Sequence, residues 1–500
     1  MTRSMAGLLL GIDLGTTATK VTVLDPSRGV VAARATGTPH QSAHAGWSEA
    51  DTHAWWGNVC ELVPEALVAA GAKGTDIKGV ACSGMVPAVV LMDTHSRALR
   101  PAILQNDARA ADEITELTAV LERHGYDVLA HTGSALTQQS VAPTWRWLAR
   151  HEPDILARTA VVVGSYDWLA VELGAEVHVE ANWALESGLY EMSGELAVPV
   201  LEAAGVPARV CPSVGVPGQA IGAVNKSASQ ATSLPQGLPI YVGGADHVLA
   251  AYAAGLSAAG DWLVKLGGAG DILVVTDLPA IDRRWYLDAH PAPGHWLPNG
   301  CMATSGSLLR WFQTTVGGAP LEQLDREAEA AAPAPVICLP YFLGEKSPLH
   351  DPDLRGAFVG LHLGTTRGDM FRACMEATAF GFRNHVDAFA EAGVKLDEGK
   401  VSNGGSGSMV WKQIVADVLG REFTSVVDHG GASLGAAFVA GVGAGVLPGW
   451  EAATGFVTAG PVVHPRGEHA QKYQEAYEMY LELQEVLAPV SHRLAARGRR

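Results

Sequence analysis

The chain has 500 residues and a formal net charge of −17, with 48% hydrophobic and 17% charged residues. This length exceeds one ordinary core and predicts two domains of roughly 200–250 residues each. The acidic balance disfavours nucleic acid and anionic membranes as partners, and no apolar run reaches the roughly 18 residues of a membrane span. The six scattered cysteines contain no CxxC pair and indicate reduced thiols in a cytoplasmic protein.

The first half of the chain is predicted to begin with a strand, a Gly-Thr-Thr turn and a second strand, over about residues 7–36. Hydrophobic periodicity then predicts helices at about 51–70, 109–125 and 140–151. A Pro- and Gly-rich stretch at about 206–238 is predicted to be a loop with short strands.

The second half repeats the opening pattern, because DWLVKLGGAGDILVVTD is again strand, glycine-rich turn and strand. The two halves are therefore predicted to be distant structural duplicates, with domains at 1–253 and 254–500. The last helix, at about 467–488, has mixed charge and is predicted to lie on the surface.

The first motif with chemical potential is the turn Asp13-Leu14-Gly15-Thr16-Thr17. Glycine allows the backbone to approach a phosphate, and threonine N–H and hydroxyl groups can donate to phosphate oxygens. A carboxylate such as Asp13 can hold Mg²⁺ through water. A hairpin turn with an Asp cap is the structural alternative at equal odds, and the position after a near-terminal apolar strand favours the functional interpretation.

The second motif is Gly243-Gly244-Ala245-Asp246-His247, between a predicted strand and a predicted helix. A carboxylate at such a strand end can accept the proton of an attacking hydroxyl. A plain Asp N-cap is common and explains the same pattern. His247 is interpreted as a packing or capping residue rather than a metal ligand.

Two further glycine-rich turns can bring backbone amides to a nucleotide, although each is also an ordinary turn between regular elements. Neither fits GxGxxG followed by a distal acid, so a Rossmann dinucleotide site is disfavoured. The candidate phosphate- and nucleotide-binding residues in these turns are Gly267, Gly268, Gly270, Gly404, Gly405 and Ser408.

The segment Gln105-Asn106-Asp107-Ala108-Arg109 places polar groups directly after an apolar run. Such groups can bind sugar hydroxyls, and a helix N-cap with a salt bridge is the alternative. Tryptophans in the first half can stack on a sugar face, although core packing is the commoner role of such residues. They are Trp47, Trp55, Trp56, Trp145 and Trp147.

The order of these motifs resembles the FGGY family of carbohydrate kinases over about residues 8–450. Seven segments carry the resemblance: GIDLGTTATK, GWSEADTHAWW, PAILQNDAR, GGADHVLAAYAAG, LPYFLGEKSPLHDPDLRGAFVGL, NGGSGSMVWKQIVADVLG and GASLGAAFVAGVGAG. The third is similar to a segment of the xylulokinases in that family.

The resemblance implies an α/β fold of two actin-like (ribonuclease H-like) domains with a cleft between them. It implies transfer of the γ-phosphoryl group of ATP to a hydroxyl of a small sugar, most closely a pentulose such as xylulose. Asp246 falls on the position of the family's catalytic base, and Asp13 and Asp246 would hold Mg²⁺, through water. A homodimer is a further expectation, because relatives are often dimers.

The resemblance places the sugar mainly on Met85, Val86, Asn106, Asp107, Arg109 and Asp246. This sequence departs from the xylulokinase pattern at several of the quoted segments. Met85-Val86-Pro87 replaces Gln-Met-His, Gln105 replaces a tryptophan, and Gly268-Ala269 replaces Thr-Ser in the second phosphate loop. A tetritol or a sugar acid therefore remains open as substrate, as does a non-catalytic sugar-sensing role. An ATPase acting on a protein partner is a weaker alternative.

Overall fold

The computed structural model describes residues 7–42, 44, 46–402, 404–427 and 430–498. The protein has a mixed α/β fold built around two large β-sheets, one from each half of the chain. This confirms the two-domain α/β architecture expected from the sequence. Within the described ranges, every helix is too short or too polar to traverse a lipid bilayer.

Among its described residues, the first half contributes thirteen strands, six of which form its main sheet in the order β12-β13-β6-β1-β2-β3. The strands are β1 (Leu8–Leu14), β2 (Ala18–Asp25), β3 (Gly29–Gly37), β4 (His40–Gln41), β5 (Glu49–Ala50), β6 (Ile77–Gly84), β7 (Val90–Met92), β8 (Ala102–Ile103), β9 (Val161–Val163), β10 (Val179–Glu180), β11 (Val214–Gly215), β12 (Ala220–Ala223) and β13 (Pro239–Ala245).

Ten helices belong to the same half in the part of the chain that the structure describes. They are α1 (Thr52–Ala70), α2 (Ala111–Arg123), α3 (Val128–Thr132), α4 (Val141–His151), α5 (Pro153–Arg158), α6 (Ser165–Leu173), α7 (Ala181–Ser187), α8 (Val198–Ala204), α9 (Lys226–Thr232) and α10 (Asp246–Ala253). The first begins at the Asp51 cap and ends at Gly71, which adopts a left-handed conformation with φ 64°.

The second half forms a seven-stranded sheet in the order β16-β17-β15-β14-β20-β21-β22. Its strands, with one separate pair, are β14 (Trp262–Leu266), β15 (Gly270–Val274), β16 (Tyr286–Ala289), β17 (Trp296–Met302), β18 (Ile337–Leu339), β19 (Ala357–Val359), β20 (Gly399–Ser402), β21 (Phe423–Val427) and β22 (Thr458–Val463). Its helices are α11 (Gly306–Phe312), α12 (Leu321–Ala330), α13 (Arg367–Glu391), α14 (Met409–Leu419), α15 (Gly431–Gly443) and α16 (Ala470–Gly498).

The two sheets share one topology. In the first, β1 pairs antiparallel with β2 and parallel with β6, which pairs parallel with β13. In the second, β14 pairs antiparallel with β15 and parallel with β20, which pairs parallel with β21. The predicted duplication of strand, tight turn and strand is therefore present in both halves. Each turn lies at the carboxyl end of a buried central strand.

Helix α15 links the halves, because it comes from the second half but packs on β1, β6, β13 and α10 of the first. Its small residues permit this close approach. A Cβ atom on Gly435 would lie 2.2 Å from the carbonyl oxygen of Leu249 in α10. The packing of α15 therefore fixes both β1 and α10 against the same element.

Two sequence predictions differ from the structure. The stretch at 206–238 contains the helix α9, which begins after the side-chain cap of Asn225. The last helix continues to Gly498, and its tyrosines Tyr473, Tyr477 and Tyr480 are buried in the core of the second half. The predicted end near residue 488 was therefore wrong. Most of the helix is exposed, so it lies on the surface as predicted, and its aromatic face packs into the core.

We expect Gly435→Ala to destabilise the protein by about 1–3 kcal/mol, because its methyl group would force α15 away from α10. Gly57 is a matched control, since it is an exposed glycine inside α1 with nothing within 4 Å of the added Cβ. Gly57→Ala should be neutral or stabilising by up to ~1 kcal/mol. Thermal unfolding of both variants would test this, and equal shifts in Tm would contradict the packing role of α15.

Candidate active site

Asp13 lies near the carboxyl end of β1, a strand in which every residue is buried. Such an apolar run is typical of a strand covered on both faces, so a carboxylate within it is unusual. Asp13 is 4% exposed, and its Oδ1 has no hydrogen-bond partner among the described residues. The pKa of Asp13 is raised to about 7, first by burial and then by the negative charge of Asp246.

Asp246 is the first residue of α10, and Ala245 rather than Asp246 is the N-cap. The strand before it comes unusually close to β6, since a Cβ on Gly243 would lie 1.7 Å from the carbonyl oxygen of Cys82. The side chain of Asp246 is 31% exposed. The tight strand, the turn and the helix thus present a partly solvated carboxylate at the end of β13.

A cavity of about 260 Å³ brings these two carboxylates together with the turn Gly15–Thr17, the predicted first phosphate loop. Its walls come from both halves of the chain, since β1, β2 and α10 meet β14 and the start of α15 around it. The lining residues are Asp13, Gly15, Thr16, Thr17, Ala18, Lys20, Asp246, His247, Ala250, Lys265, Gly431 and Ala432.

His247 connects Asp246 to the second half. Its Nε2 lies 2.8 Å from Oδ2 of Asp288 in β16, and its Nδ1 lies 3.6 Å from Oδ1 of Asp246. Burial disfavours the charged imidazole, but Asp288 and Asp246 outweigh burial and raise the pKa of His247 well above its usual value. Burial and Asp288 likewise raise the pKa of Glu186. The N-cap of α10 has no side-chain hydrogen bond, so His247 does not cap the helix. It is instead a packing residue that forms an ion pair with Asp288 across the two halves.

Glu186, His247 and Asp288 offer ligand atoms within 4.8 Å of one another, which is close enough to hold a metal ion. The hydrogen bond between His247 and Asp288 already accounts for two of the three groups without one. Oε1 of Glu186 and Oδ1 of Asp288 are nevertheless buried without a hydrogen-bond partner among the described residues, so this charge network behind the catalytic candidate Asp246 leaves two acceptor oxygens unpaired.

The second phosphate loop, Gly267–Gly270, joins β14 to β15. The Gly267 carbonyl accepts from the N–H of Gly306 at 2.7 Å, and the Gly268 carbonyl accepts from the N–H of Ser305 at 2.8 Å. Because these carbonyls accept hydrogen bonds from the start of α11, the amide N–H groups of the loop can donate to a phosphate. Gly270 is buried at the start of β15, where an added Cβ would lie 2.8 Å from Phe382.

A larger cavity of about 1920 Å³ extends from the phosphate loops between α12, α13 and α14. Gly267, Gly268, Gly404, Gly405 and Ser408 line it, so it contains five of the predicted nucleotide-binding residues. Thr17 and Lys20 line both cavities, which connects the larger one to the two carboxylates.

The turn before α14 is shaped by Gly405, because an added Cβ would lie 2.3 Å from the Trp411 ring. Ser408 caps α14 by accepting from the N–H of Trp411 at 3.2 Å. Asn403, which precedes this turn in the sequence motif, lies outside the described residues. The glycine-rich turn and the Trp411 ring give this end of the cavity the flat, apolar walls that suit an aromatic base.

Of the predicted sugar-binding residues, Asp246 lines the smaller cavity. The other five line neither of the two cavities in the described part of the chain. Met85 and Val86 are buried after β6, and Asn106 is exposed. Asp107 is buried and accepts from the Ser48 N–H at 2.6 Å and from the guanidinium of Arg109 at 2.7 Å.

Arg109 lies over the ring of Trp47 at 3.8 Å and near that of Trp147 at 5.1 Å. It also donates to Glu49 at 2.7 Å, while its Nη1 has no hydrogen-bond partner among the described residues. These two tryptophans therefore enclose a guanidinium in this structure. Trp55 and Trp145 are buried in the core of the first half, and Trp56 packs against it.

Gln105 is the member of that segment which reaches the site. Its Nε2 donates to Oγ1 of Thr16 at 3.1 Å, and its Oε1 is buried without a partner among the described residues. Gln105, which replaces the tryptophan of the xylulokinase pattern, thus connects the Asn106 segment to the first phosphate loop.

Three lysines that the sequence analysis did not select line the cavities: Lys20, Lys265 and Lys412. Lys412 is 5% exposed, and its Nζ donates to Oγ of Ser425 at 3.1 Å. A lysine within an apolar strand, as in the WLVKL of β14, is a recognisable anomaly. Side chains alternate between the two faces of a strand, and this alternation does not show which cavity such a lysine enters. That depends on how the strands and helices pack in the fold.

Residues 8–253 match the model of the "FGGY family of carbohydrate kinases, N-terminal domain", and residues 272–444 match its C-terminal domain. The chain is 26% identical to a xylulose kinase of Bacillus subtilis over 481 residues, covering 94% of this chain and 95% of that one. It is 28% identical to an autoinducer-2 kinase of Klebsiella pneumoniae over 493 residues, covering 93% and 92%.

Among solved structures, xylulose kinase from Rhodospirillum rubrum superimposes with a TM-score of 0.89 at 39% identity, covering 97% of this chain and 100% of that one. The family models together match most of the sequence. Both halves line the smaller cavity, whereas the larger cavity lies in the second half and meets the first half at Thr17 and Lys20. The protein is therefore a member of the FGGY family of carbohydrate kinases and an ATP-dependent sugar kinase.

Proposed function

We propose that the protein phosphorylates a hydroxyl of a pentulose such as xylulose, with Asp246 as the general base. The observation that carries the proposal is the cavity of about 260 Å³, in which Asp13 and Asp246 face the Thr16-Thr17 loop. This cavity connects to the larger one at Thr17 and Lys20. A small acceptor in the smaller cavity would therefore lie beside the terminal phosphate of a nucleotide in the larger cavity.

In this proposal the acceptor hydroxyl approaches the γ-phosphorus while Asp246 accepts its proton. The partial exposure of Asp246 suits an ionised base, and His247 holds its side chain from behind through the 3.6 Å contact. Because the cavity walls come from both halves, their approach would exclude water and align the hydroxyl with phosphorus.

Mg²⁺ fits the residues around Asp13. The buried Oδ1 of Asp13 lacks a partner among the described residues, and a carboxylate raised to a pKa of about 7 gains from a nearby cation. Asp13, with Asp246 on the opposite wall, would hold the ion through water. When bound, Mg²⁺ neutralises phosphate charge.

ATP would occupy the larger cleft. Thr16, Thr17 and the amides of Gly267 and Gly268 are suited to the phosphates. Gly404, Gly405 and Ser408, beside the Trp411 ring, are suited to the adenosine. Gly15 would let the backbone of the first loop approach the phosphates.

Xylulose is proposed because full-length relatives carry the name xylulose kinase. A tetritol or a sugar acid is the alternative, since Met85-Val86-Pro87 and Gln105 depart from the xylulokinase pattern. A non-catalytic sugar sensor is a candidate of another class, motivated by the hydroxyl-free second phosphate loop. The presence of Asp13, Thr16, Thr17 and Asp246 in one cavity favours turnover over sensing.

We expect xylulose to stimulate ADP release from ATP and Mg²⁺ strongly over a sugar-free control. The panel would include other pentuloses, tetritols, hexitols, sugar acids and autoinducer-2, which one relative's name mentions. Product analysis would identify the phosphorylated carbon. Strong stimulation by a tetritol or a sugar acid alone would replace xylulose as substrate, whereas uniform background with ATP binding intact would favour the sensor.

Asp246→Asn should lower kcat by roughly 10²–10⁴-fold, because an amide cannot accept the hydroxyl proton. The affinity for ATP and the Tm should change little. Asp127→Asn is a matched control, since Asp127 caps the remote helix α3 by accepting from the Ala130 N–H at 3.2 Å. Near-normal kcat in Asp246→Asn would exclude the proposed base.

The sugar role proposed for the polar segment can be tested at Asn106, which is exposed and free of the Asp107–Arg109 pairing. Asn106→Ala should raise the KM for the sugar about tenfold, on the scale of a lost hydrogen bond. The KM for ATP serves as the internal control and should not change. An unchanged sugar KM would remove Asn106 from the binding site.

A further inference from the structure

Lys265 occupies an unusual place in the fold. It lies in β14, where every residue is buried, and Leu266 alone separates it from the second phosphate loop. A lysine at such a position loses the solvation of its charge and needs compensating contacts. The contacts of this side chain therefore indicate the role of a charged residue at this position.

The first contact is an ion pair across the sheet. Lys265 is opposite Asp271 in the antiparallel register of β14 and β15, and Nζ lies 2.8 Å from Oδ2 of Asp271. Burial alone would raise the pKa of Asp271, but the ammonium outweighs burial and lowers it to about 2. Asp271 likewise outweighs burial at Lys265 and raises its pKa. Both groups are therefore charged.

The second contact is with the cavity. Lys265 lines the same 260 Å³ space as Asp13, Thr16 and Asp246. Its charge lowers the pKa of Asp13, and the charge of Asp246 raises the pKa of Lys265, so the ammonium acts on both carboxylates. An ammonium has three N–H donors, and the described hydrogen bond to Asp271 uses one.

The loop that follows gives a reason for this placement. Gly267, Gly268, Ala269 and Gly270 carry no side-chain donor, and two of their carbonyls accept bonds from α11. The cavity also contains two carboxylates, which repel a phosphoryl group. The ammonium of Lys265 is therefore the fixed cation with which this side of the cavity can bind a phosphoryl group.

We propose that Nζ of Lys265 binds the oxygens of the phosphoryl group during transfer and that Asp271 holds the ammonium in place. The inference rests on the proposed kinase reaction. In that step the acceptor oxygen forms a bond to the γ-phosphorus and its proton passes to Asp246. The bond from phosphorus to the β–γ bridging oxygen breaks, and its electron pair leaves with ADP. Lys265 remains protonated throughout.

The test compares ligands with and without the γ-phosphate. Lys265→Met should raise the Kd of a non-hydrolysable ATP analogue about tenfold to a hundredfold, on the scale of a lost charge-assisted hydrogen bond. The Kd of ADP should stay within about twofold, and Lys265→Arg should retain most of the analogue affinity. Calorimetry without sugar measures both constants, so the result does not depend on which sugar is phosphorylated.

Lys400 provides a matched control in the same sheet. It lies in β20 opposite Leu263, and its Nζ is 3.7 Å from Oδ2 of Asp261 in a similarly buried pair. Lys400→Met should leave both nucleotide affinities unchanged. If the methionine variant fails to fold, Lys265→Gln, which can still donate to Asp271, tests the same comparison of the analogue Kd with the ADP Kd. Equal changes for the analogue and ADP, or no change, would overturn the proposal and reduce Lys265–Asp271 to a structural ion pair.

Discussion

Asp13 and Asp246 are two carboxylates held in one small cavity, and their mutual repulsion is the constraint on which the site depends. It contributes to the raised pKa of Asp13. A phosphoryl group that enters this space adds further negative charge, so the site requires positive charge from its other walls. Lys20 and Lys265 provide that charge from β2 and β14, and a divalent cation at Asp13 would add more.

The scaffold places these charges through close packing. β1 carries Asp13 and α10 carries Asp246, and both contact α15, a helix of small residues from the other half of the chain. A larger residue at Gly435 would separate α15 from α10. The glycine turns of the duplicated sheets meet at the larger cavity, which Thr17, Gly267 and Gly268 line. The phosphate-binding elements that we propose therefore come from both halves.

The sequence predicted the strand–turn–strand duplication and the glycine loops well, because tight turns and apolar strands have local signatures. It also indicated Asp13 and Asp246, although an ordinary cap explains each of these motifs when it is taken alone. It did not show that Asp107 and Arg109 bind one another, nor that Gln105 contacts Thr16, because these contacts depend on side-chain direction after folding. Lys265 and the His247–Asp288 pair depend on register and on packing between the halves. Local patterns do not contain that information.

The most direct test of the account is a structure of the protein with a non-hydrolysable ATP analogue, Mg²⁺ and the sugar that it phosphorylates. The account predicts a carboxylate oxygen of Asp246 within about 2.6–3.2 Å of the acceptor hydroxyl, which should point at the γ-phosphorus. The adenosine should lie beside Gly404, Gly405 and Trp411. A sugar bound outside the cavity of Asp13 and Asp246, or a hydroxyl facing another base, would contradict it.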